Sequence, residues 1–227
     1  MCGRVSMSQP VSVVRKYIQK TFDIEDLPDT IRLPRYNMAP GQTLVTVLSD
    51  GKKHRIGEIK WGFVPPFAKD EKIGYSMINA KSETLAEKPS YKESFRSRRC
   101  VVLADGFYEW KTDGKTKQPY RFHLGEGTLF ALAGLWTQKT REDETKLFTC
   151  TIVTTSANAD MEDIHDRMPV ILEGEALAKW LDVRLTDLAA LQEILRPFPD
   201  GRLQRYPVSD LVNKPQNETP DCVKPLE

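Results

Sequence analysis

Between Cys100 and Val153 the chain is a succession of short apolar stretches, each closed by residues that turn a backbone, and this leaves few folds open. Cys100–Ala104 stops at Asp105-Gly106, Phe107–Lys111 stops at Asp113-Gly114-Lys115, and Tyr120–Leu124 stops at Gly125 and Gly127. Leu129–Trp136 then runs into the polar stretch Lys139–Lys146, and Leu147–Val153 completes the series. Stretches of this length, rich in β-branched and aromatic residues, read as strands, and the Asp, Gly and Lys between them read as hairpin turns. Consecutive hairpins pair antiparallel, so a largely antiparallel sheet is predicted.

The flanking sequence fits the same plan. Thr43–Leu48 alternates apolar and polar positions, and Asp50-Gly51 turns it into a second strand near Arg55–Trp61. Val11, Val14, Ile18 and Phe22 recur at helical spacing behind a potential cap at Ser8. Ser82 is placed to cap a helix toward Phe95, interrupted or restarted at Pro89. Val170–Leu172 and Tyr206–Val208 read as strands, Glu175–Leu181 and Leu188–Leu195 as helices, the last capped by Thr186. The expected fold is α+β: a largely antiparallel, barrel-like sheet with flanking helices in a single domain spanning residues 1–213. Residues 214–227, with Pro215, Pro220 and Pro225 and little apolar content, are expected to form a mobile tail.

Composition excludes several classes of function. There is no apolar run near the ~20 residues of a membrane span and no secretory layout in residues 1–25, so no membrane partner and a cytoplasmic location are expected. Cys2, Cys100, Cys150 and Cys222 lie far apart without a C-x-x-C, and there are three histidines, so neither a metal site nor a disulfide framework is expected. Net charge is +1, which argues against a nonspecific nucleic-acid binder but leaves room for a local basic groove. The densest candidate is Lys81–Arg99, where a solvated helix face explains the charges equally well.

Cys2 stands apart. If Met1 is removed, Cys2 carries an α-amine (pKa roughly 7.7–8.0) and a thiol (about 8.5) on adjacent carbons. An aldehyde can condense with the amine to an imine, and the thiol can close on the same carbon to a thiazolidine. Asn79, Glu109 and His165 are the other polar features that stand out, each near a strand end or turn where a scaffold can present a side chain. Taken singly, Asn79 is explained as a cap, Glu109 as an edge-strand carboxylate and His165 as a hydrogen-bonded structural imidazole.

Their contexts are more specific than the residues alone. The strings are Cys2-Gly3-Arg4, Tyr36-Asn37-Met38-Ala39-Pro40-Gly41, Ile78-Asn79-Ala80-Lys81-Ser82-Glu83-Thr84, Ala104-Asp105-Gly106-Phe107-Tyr108-Glu109-Trp110-Lys111 and Ile164-His165-Asp166-Arg167-Met168-Pro169. In this order they resemble the SRAP family (SOS response-associated peptidase), whose members shield abasic sites in single-stranded DNA. The resemblance implies a DNA–protein crosslink through Cys2, with Glu109 in acid–base work, His165 moving a proton at the sugar ring oxygen or assisting crosslink reversal, the division of steps between these two left open, and Asn79 orienting substrate or amine. It implies Arg4, Lys81 and Arg167 at phosphates, Asn37 and Pro40 at the strand, and Phe67 stacked on a base. No cofactor is implied, and a monomer acting on abasic single-stranded DNA is expected. Two rival readings stay open: a cysteine peptidase with Cys2 and His165 as nucleophile and base, and a noncovalent single-strand binder in which Cys2 is incidental.

Overall fold

The turn signals act where they stand. In the computed structural model, which describes residues 2–226, Asp50-Gly51 joins β3 (Thr43–Ser49) to β4 (His54–Trp61) in unbroken antiparallel register from Thr43↔Lys60 to Ser49↔His54. The chain before them holds β1 (Val5–Met7), α1 (Val11–Phe22) and β2 (Arg35–Met38). After them come β5 (Asn79–Lys81), α2 (Pro89–Ser97), β6 (Arg99–Ala104), β7 (Gly106–Asp113), β8 (Thr116–His123), β9 (Phe130–Thr140) and β10 (Lys146–Ser156). The last elements are β11 (Arg167–Pro169), β12 (Ile171–Leu172), α3 (Gly174–Leu181), α4 (Leu188–Gln192) and β13 (Gln204–Pro207).

Five of these strands close into a ring. β3 pairs with β4 and β6, β6 with β9, β9 with β10, and β10 returns to β4. Closure leaves the ring without a free edge. Every residue of β6 is buried, as a strand central to a barrel requires. Val47, Val101 and Leu135 on one face of these strands, Leu132 and Ile152 on the other, and Trp61 and Phe63 all belong to one buried apolar core. A second, wholly antiparallel sheet in the order β13-β8-β7-β1-β2 packs beside it. The architecture is thus the α+β, largely antiparallel, barrel-like arrangement with flanking helices that the turn pattern predicts. The exceptions are parallel: β10 pairs first with β4 (Thr149↔Lys60) and then with β5 (Ile152↔Asn79).

That double pairing fixes the loop 62–78, which leaves β10 at Trp61 and returns to it at Asn79. Its neck is a crossing of two glycines. A Cβ on Gly74 would meet the Gly62 carbonyl oxygen at 2.7 Å, and Gly62 has φ +129°, where side chains are strained. The two sheets are joined at Asp105, 2% exposed, which accepts from Ser6 Oγ (2.7 Å), from the backbone and hydroxyl of Ser8 (2.6 Å each), and pairs with Arg121 at 2.9 Å. Ser8 therefore serves Asp105, and α1 begins after Pro10 without a side-chain cap. Ser82 opens only a short 3₁₀ turn to Thr84, and α2 starts at Pro89, where its missing N–H costs nothing. Asp187, rather than Thr186, caps α4. Arg99 ties the helices to the barrel by donating to the carbonyls of Phe95, Arg96, Trp180, Asp182 and Leu185.

The carboxyl-terminal residues differ from the expected mobile tail. Glu218 accepts from the N–H groups of Tyr36 and Asn37 and from Arg35, Cys222 is fully buried, and Leu226 donates to Pro207 at 2.9 Å. Sparse apolar content misled the expectation because the fastening is polar.

Candidate functional site

Cys2 is buried, and hydrogen bonds hold its backbone on two sides. Its carbonyl accepts from Asn79 Nδ2 at 2.7 Å, and two residues later the Arg4 carbonyl accepts from the Tyr108 N–H at 3.0 Å. The second bond belongs to the β1–β7 pairing (Val5↔Phe107) and brings the residue after Tyr108, Glu109, beside the start of the chain. Asn79 is delivered by the β5–β10 pairing, and its own carbonyl accepts from Tyr91 Oη at 3.5 Å. His165 comes from the turn between β10 and β11. The elements that meet at Cys2 are therefore β1, β5, β7 and the β10–β11 turn, which are distant in sequence.

Electrostatics tie the group together. Burial pushes the Cys2 thiol far above the usual thiol range, and the nearby Glu109 carboxylate adds to the rise. Glu109, 3% exposed, is itself raised to about 7 by burial, opposed by the positive charge of the amino terminus and assisted by Asp166. His165 is held below the ordinary imidazole range by burial first and by the same amino-terminal charge second, with Asp166 pulling the other way. Its Nδ1 accepts the Arg167 N–H at 2.9 Å, which leaves the proton of the neutral ring on Nε2. Asp166 also stands 2.9 Å from Nδ1, but it is largely exposed, so solvent screens it and burial decides the balance.

The predicted binding residues divide into two sets. Phe67, 67% exposed, stands on the loop 62–78, with Pro40 in a half-buried turn and Lys81 exposed on β5. Arg167 holds Glu83 through paired contacts of 2.6 and 2.8 Å and also donates to the Thr154 carbonyl at 2.7 Å. Arg4 and Asn37 depart from the expectation. Asn37 is fully buried, and Arg4 is 8% exposed and donates to Asn37 Oδ1 at 2.5 Å and to the Val212 carbonyl. Their polar groups are used inside the protein, because the chain's last segment folds over them. Two further residues escaped sequence reasoning. Tyr75, 66% exposed, lies on the same loop as Phe67 and against Gly41, and Tyr91 underpins Asn79. The aromatic character of Tyr75 was legible, but its place beside the Pro40-Gly41 turn depends on the Gly62–Gly74 crossing.

A cleft of about 640 Å³ at the β3–β4 turn, lined by His54, Lys52 and Arg184 among others, contains none of Cys2, Asn79, Glu109 or His165. Among the described residues no group of three or more His, Cys, Asp or Glu is arranged to hold a metal ion, and no helix is long and apolar enough to cross a membrane.

A family model described as SOS response associated peptidase (SRAP) matches residues 1–215. The abasic site processing protein YoqW of Bacillus subtilis (strain 168) is 46% identical over 226 residues, covering 99% of each chain. The abasic site processing protein HMCES of Gallus gallus is 31% identical over 265 residues, covering 100% of this chain and 78% of its own. A crystal structure of a protein from Bacteroides thetaiotaomicron superposes with a TM-score of 0.87 at 25% identity, covering 100% of both chains.

Proposed function

The chain belongs to the SOS response associated peptidase family, and from that premise we propose that it processes abasic sites in single-stranded DNA by forming a covalent thiazolidine through Cys2 once Met1 is removed. The observation that carries this reading is the fixing of Cys2 by Asn79 Nδ2 at 2.7 Å, with the buried Glu109 carboxylate in electrostatic contact with its thiol. The relatives named for abasic-site processing support the same lesion.

The protonation states set the order of steps. A thiol pushed up by burial and by Glu109 stays protonated at neutral pH, so the α-amine is the first nucleophile. The aldehyde it attacks at C1′ forms first by opening of the closed sugar, in which the C1′ hydroxyl gives up its proton, the C1′–O4′ bond breaks and the ring oxygen O4′ receives a proton. His165, neutral with its proton on Nε2, is the donor suited to that oxygen. The carbinolamine loses water to give the imine, and a carboxyl near 7 can give and take the protons involved. The Cys2 S–H then adds across C=N: the C–S bond forms, Glu109 takes the sulfur proton, and the nitrogen receives one. The ring closes without oxidation or reduction. Pro40, Phe67, Lys81 and Arg167 are proposed to hold the strand around the lesion, Phe67 by stacking and the two cations at phosphates once Arg167 exchanges Glu83 for DNA.

The test is incubation with a single-stranded oligonucleotide bearing one abasic site, read by intact mass and by heat-resistant mobility shift. Wild type is expected to gain the oligonucleotide mass less one water, and Cys2→Ala to gain nothing. Equal crosslinking by Cys2→Ala refutes the proposal. Cleavage of peptides in place of crosslinking would favour the peptidase reading, against which the raised thiol argues, since a cysteine peptidase needs a thiolate.

A further inference from the structure

Arg4 is a nearly buried guanidinium whose Nη1 is given to neutral acceptors, Asn37 Oδ1 and the Val212 carbonyl. Its backbone carries the other half of the arrangement. The Arg4 carbonyl takes the Tyr108 N–H, and the Cys2 Sγ lies 4.0 Å from that same oxygen. Wherever the Arg4 side chain is anchored, the short segment bearing Cys2 is anchored with it.

That anchor is the end of the chain. Asn37 Nδ2 donates to the carbonyls of Lys214 (3.0 Å) and Asn217 (2.8 Å). Glu218 Oε1 accepts from the Tyr36 and Asn37 N–H groups, and its Oε2 accepts from Arg35 Nε at 3.2 Å. Carboxylate acceptance of backbone N–H groups is among the stronger hydrogen-bonding arrangements available to a protein. Cys222 Sγ donates to the Asn217 carbonyl at 3.3 Å. Residues 2–4 and 212–218, the two ends of the sequence, are thus joined through Arg4 and Asn37.

We propose that the segment 212–222 is a latch that holds Cys2 in its reactive position, with Glu218 as its fastening and Asn37 and Arg4 as the positioning residues that transmit the hold. The proposal rests on the reading of Cys2 as the crosslinking residue for its functional consequence, but the mechanical part stands apart from DNA chemistry. Loss of the fastening lets the amino-terminal segment move, and near-ångström misplacement of a reacting group is enough to slow chemistry severely. Glu218 is 31% exposed, so it can be altered without opening the barrel.

The test uses Glu218→Ala and Glu218→Gln in the full chain. Glutamine retains the Oε1 acceptor for both N–H groups, and alanine removes it. Alkylation by iodoacetamide, resolved by peptide mass spectrometry, reports each cysteine separately. In Glu218→Ala, Cys2 and Cys222 are expected to react about tenfold faster while Cys100 and Cys150, buried in the barrel, stay as in wild type; Glu218→Gln is expected to recover most of the protection. At saturating abasic oligonucleotide the crosslinking rate of Glu218→Ala is expected to fall about tenfold with the half-saturating concentration unchanged. Acceleration of Cys222 alone, or of all four cysteines together, overturns the latch, the second because it marks general loosening. A raised half-saturating concentration with an unchanged maximal rate also overturns it, assigning the segment to DNA binding. Absence of crosslinking in wild type defeats the functional reading and leaves the labelling result to decide the latch.

Discussion

Glu109→Gln should make the protein more stable and less active at the same time. The carboxyl sits at about 7 rather than its ordinary 4.5 because burial disfavours its charge. Between those two values the folded chain keeps a proton that the unfolded chain has released. Stability from this group is therefore fully present below about 4.5, declines as pH rises toward 7, and is lost above it. At about 1.4 kcal/mol for each tenfold change in proton affinity, the cost of ionising Glu109 in place reaches about 3 kcal/mol at pH 8. A neutral isostere avoids that cost. In a chain of this size 3 kcal/mol corresponds to a melting-temperature gain of roughly 6–12 °C. Thermal and urea unfolding of both proteins at pH 4 and pH 8 measures it: the curves should nearly coincide at pH 4 and separate at pH 8. Removing the acid–base group should lower the crosslinking rate by about 10²–10⁴-fold. If Glu109→Gln shows the same pH dependence of stability as wild type, the raised carboxyl and the proton-transfer role built on it are both wrong.

Two further outcomes follow from the contacts described above. Asp105→Ala leaves Arg121 buried without its charge partner and strips acceptors from Ser6 and Ser8, so unfolding should occur about 3–5 kcal/mol earlier on a urea titration; a loss under ~1 kcal/mol would show the pair to be dispensable. Phe67→Ala should weaken binding of single-stranded DNA by about 1–3 kcal/mol in a fluorescence-anisotropy titration while leaving the maximal crosslinking rate intact; unchanged affinity would remove Phe67 from the DNA face.

The strands were legible in the sequence because each turn is local. Asp50-Gly51 and Asp113-Gly114 fix neighbouring strands with information contained within a few residues. Helix starts were less legible because capping residues have competing uses. Ser8 is a suitable cap by type, but Asp105, 97 positions away, is a stronger partner for it. Cys2, Asn79, Glu109 and His165 could be picked out from their surrounding words, but their convergence depends on the parallel pairing of β5 with β10, which no local pattern encodes. Arg4 and Asn37 were no easier to place. Basic and amide side chains close to Cys2 in sequence look like ligand contacts, and nothing local says that residues 212–217 fold over them and take their hydrogen bonds. Lys214 onward looked loose because apolar content is a poor guide to a segment fastened by Glu218.

The crossing at Gly62 and Gly74 has a consequence for how this protein can change. The backbones touch where neither residue has room for a side chain, so the two ends of the lobe between them are clamped at a fixed separation. Beyond the clamp the lobe is also tied to the barrel strands, by Lys139 on the Ala68 carbonyl (2.7 Å), Arg141 on Glu71 and Thr149 on the Val64 N–H (2.9 Å). Its exposed Phe67 and Ile73 lie outside these ties. Any substitution at the clamp itself would be felt at both Trp61 and Asn79, the two seats on β10, so that two residues with no functional group govern where the lobe begins and ends.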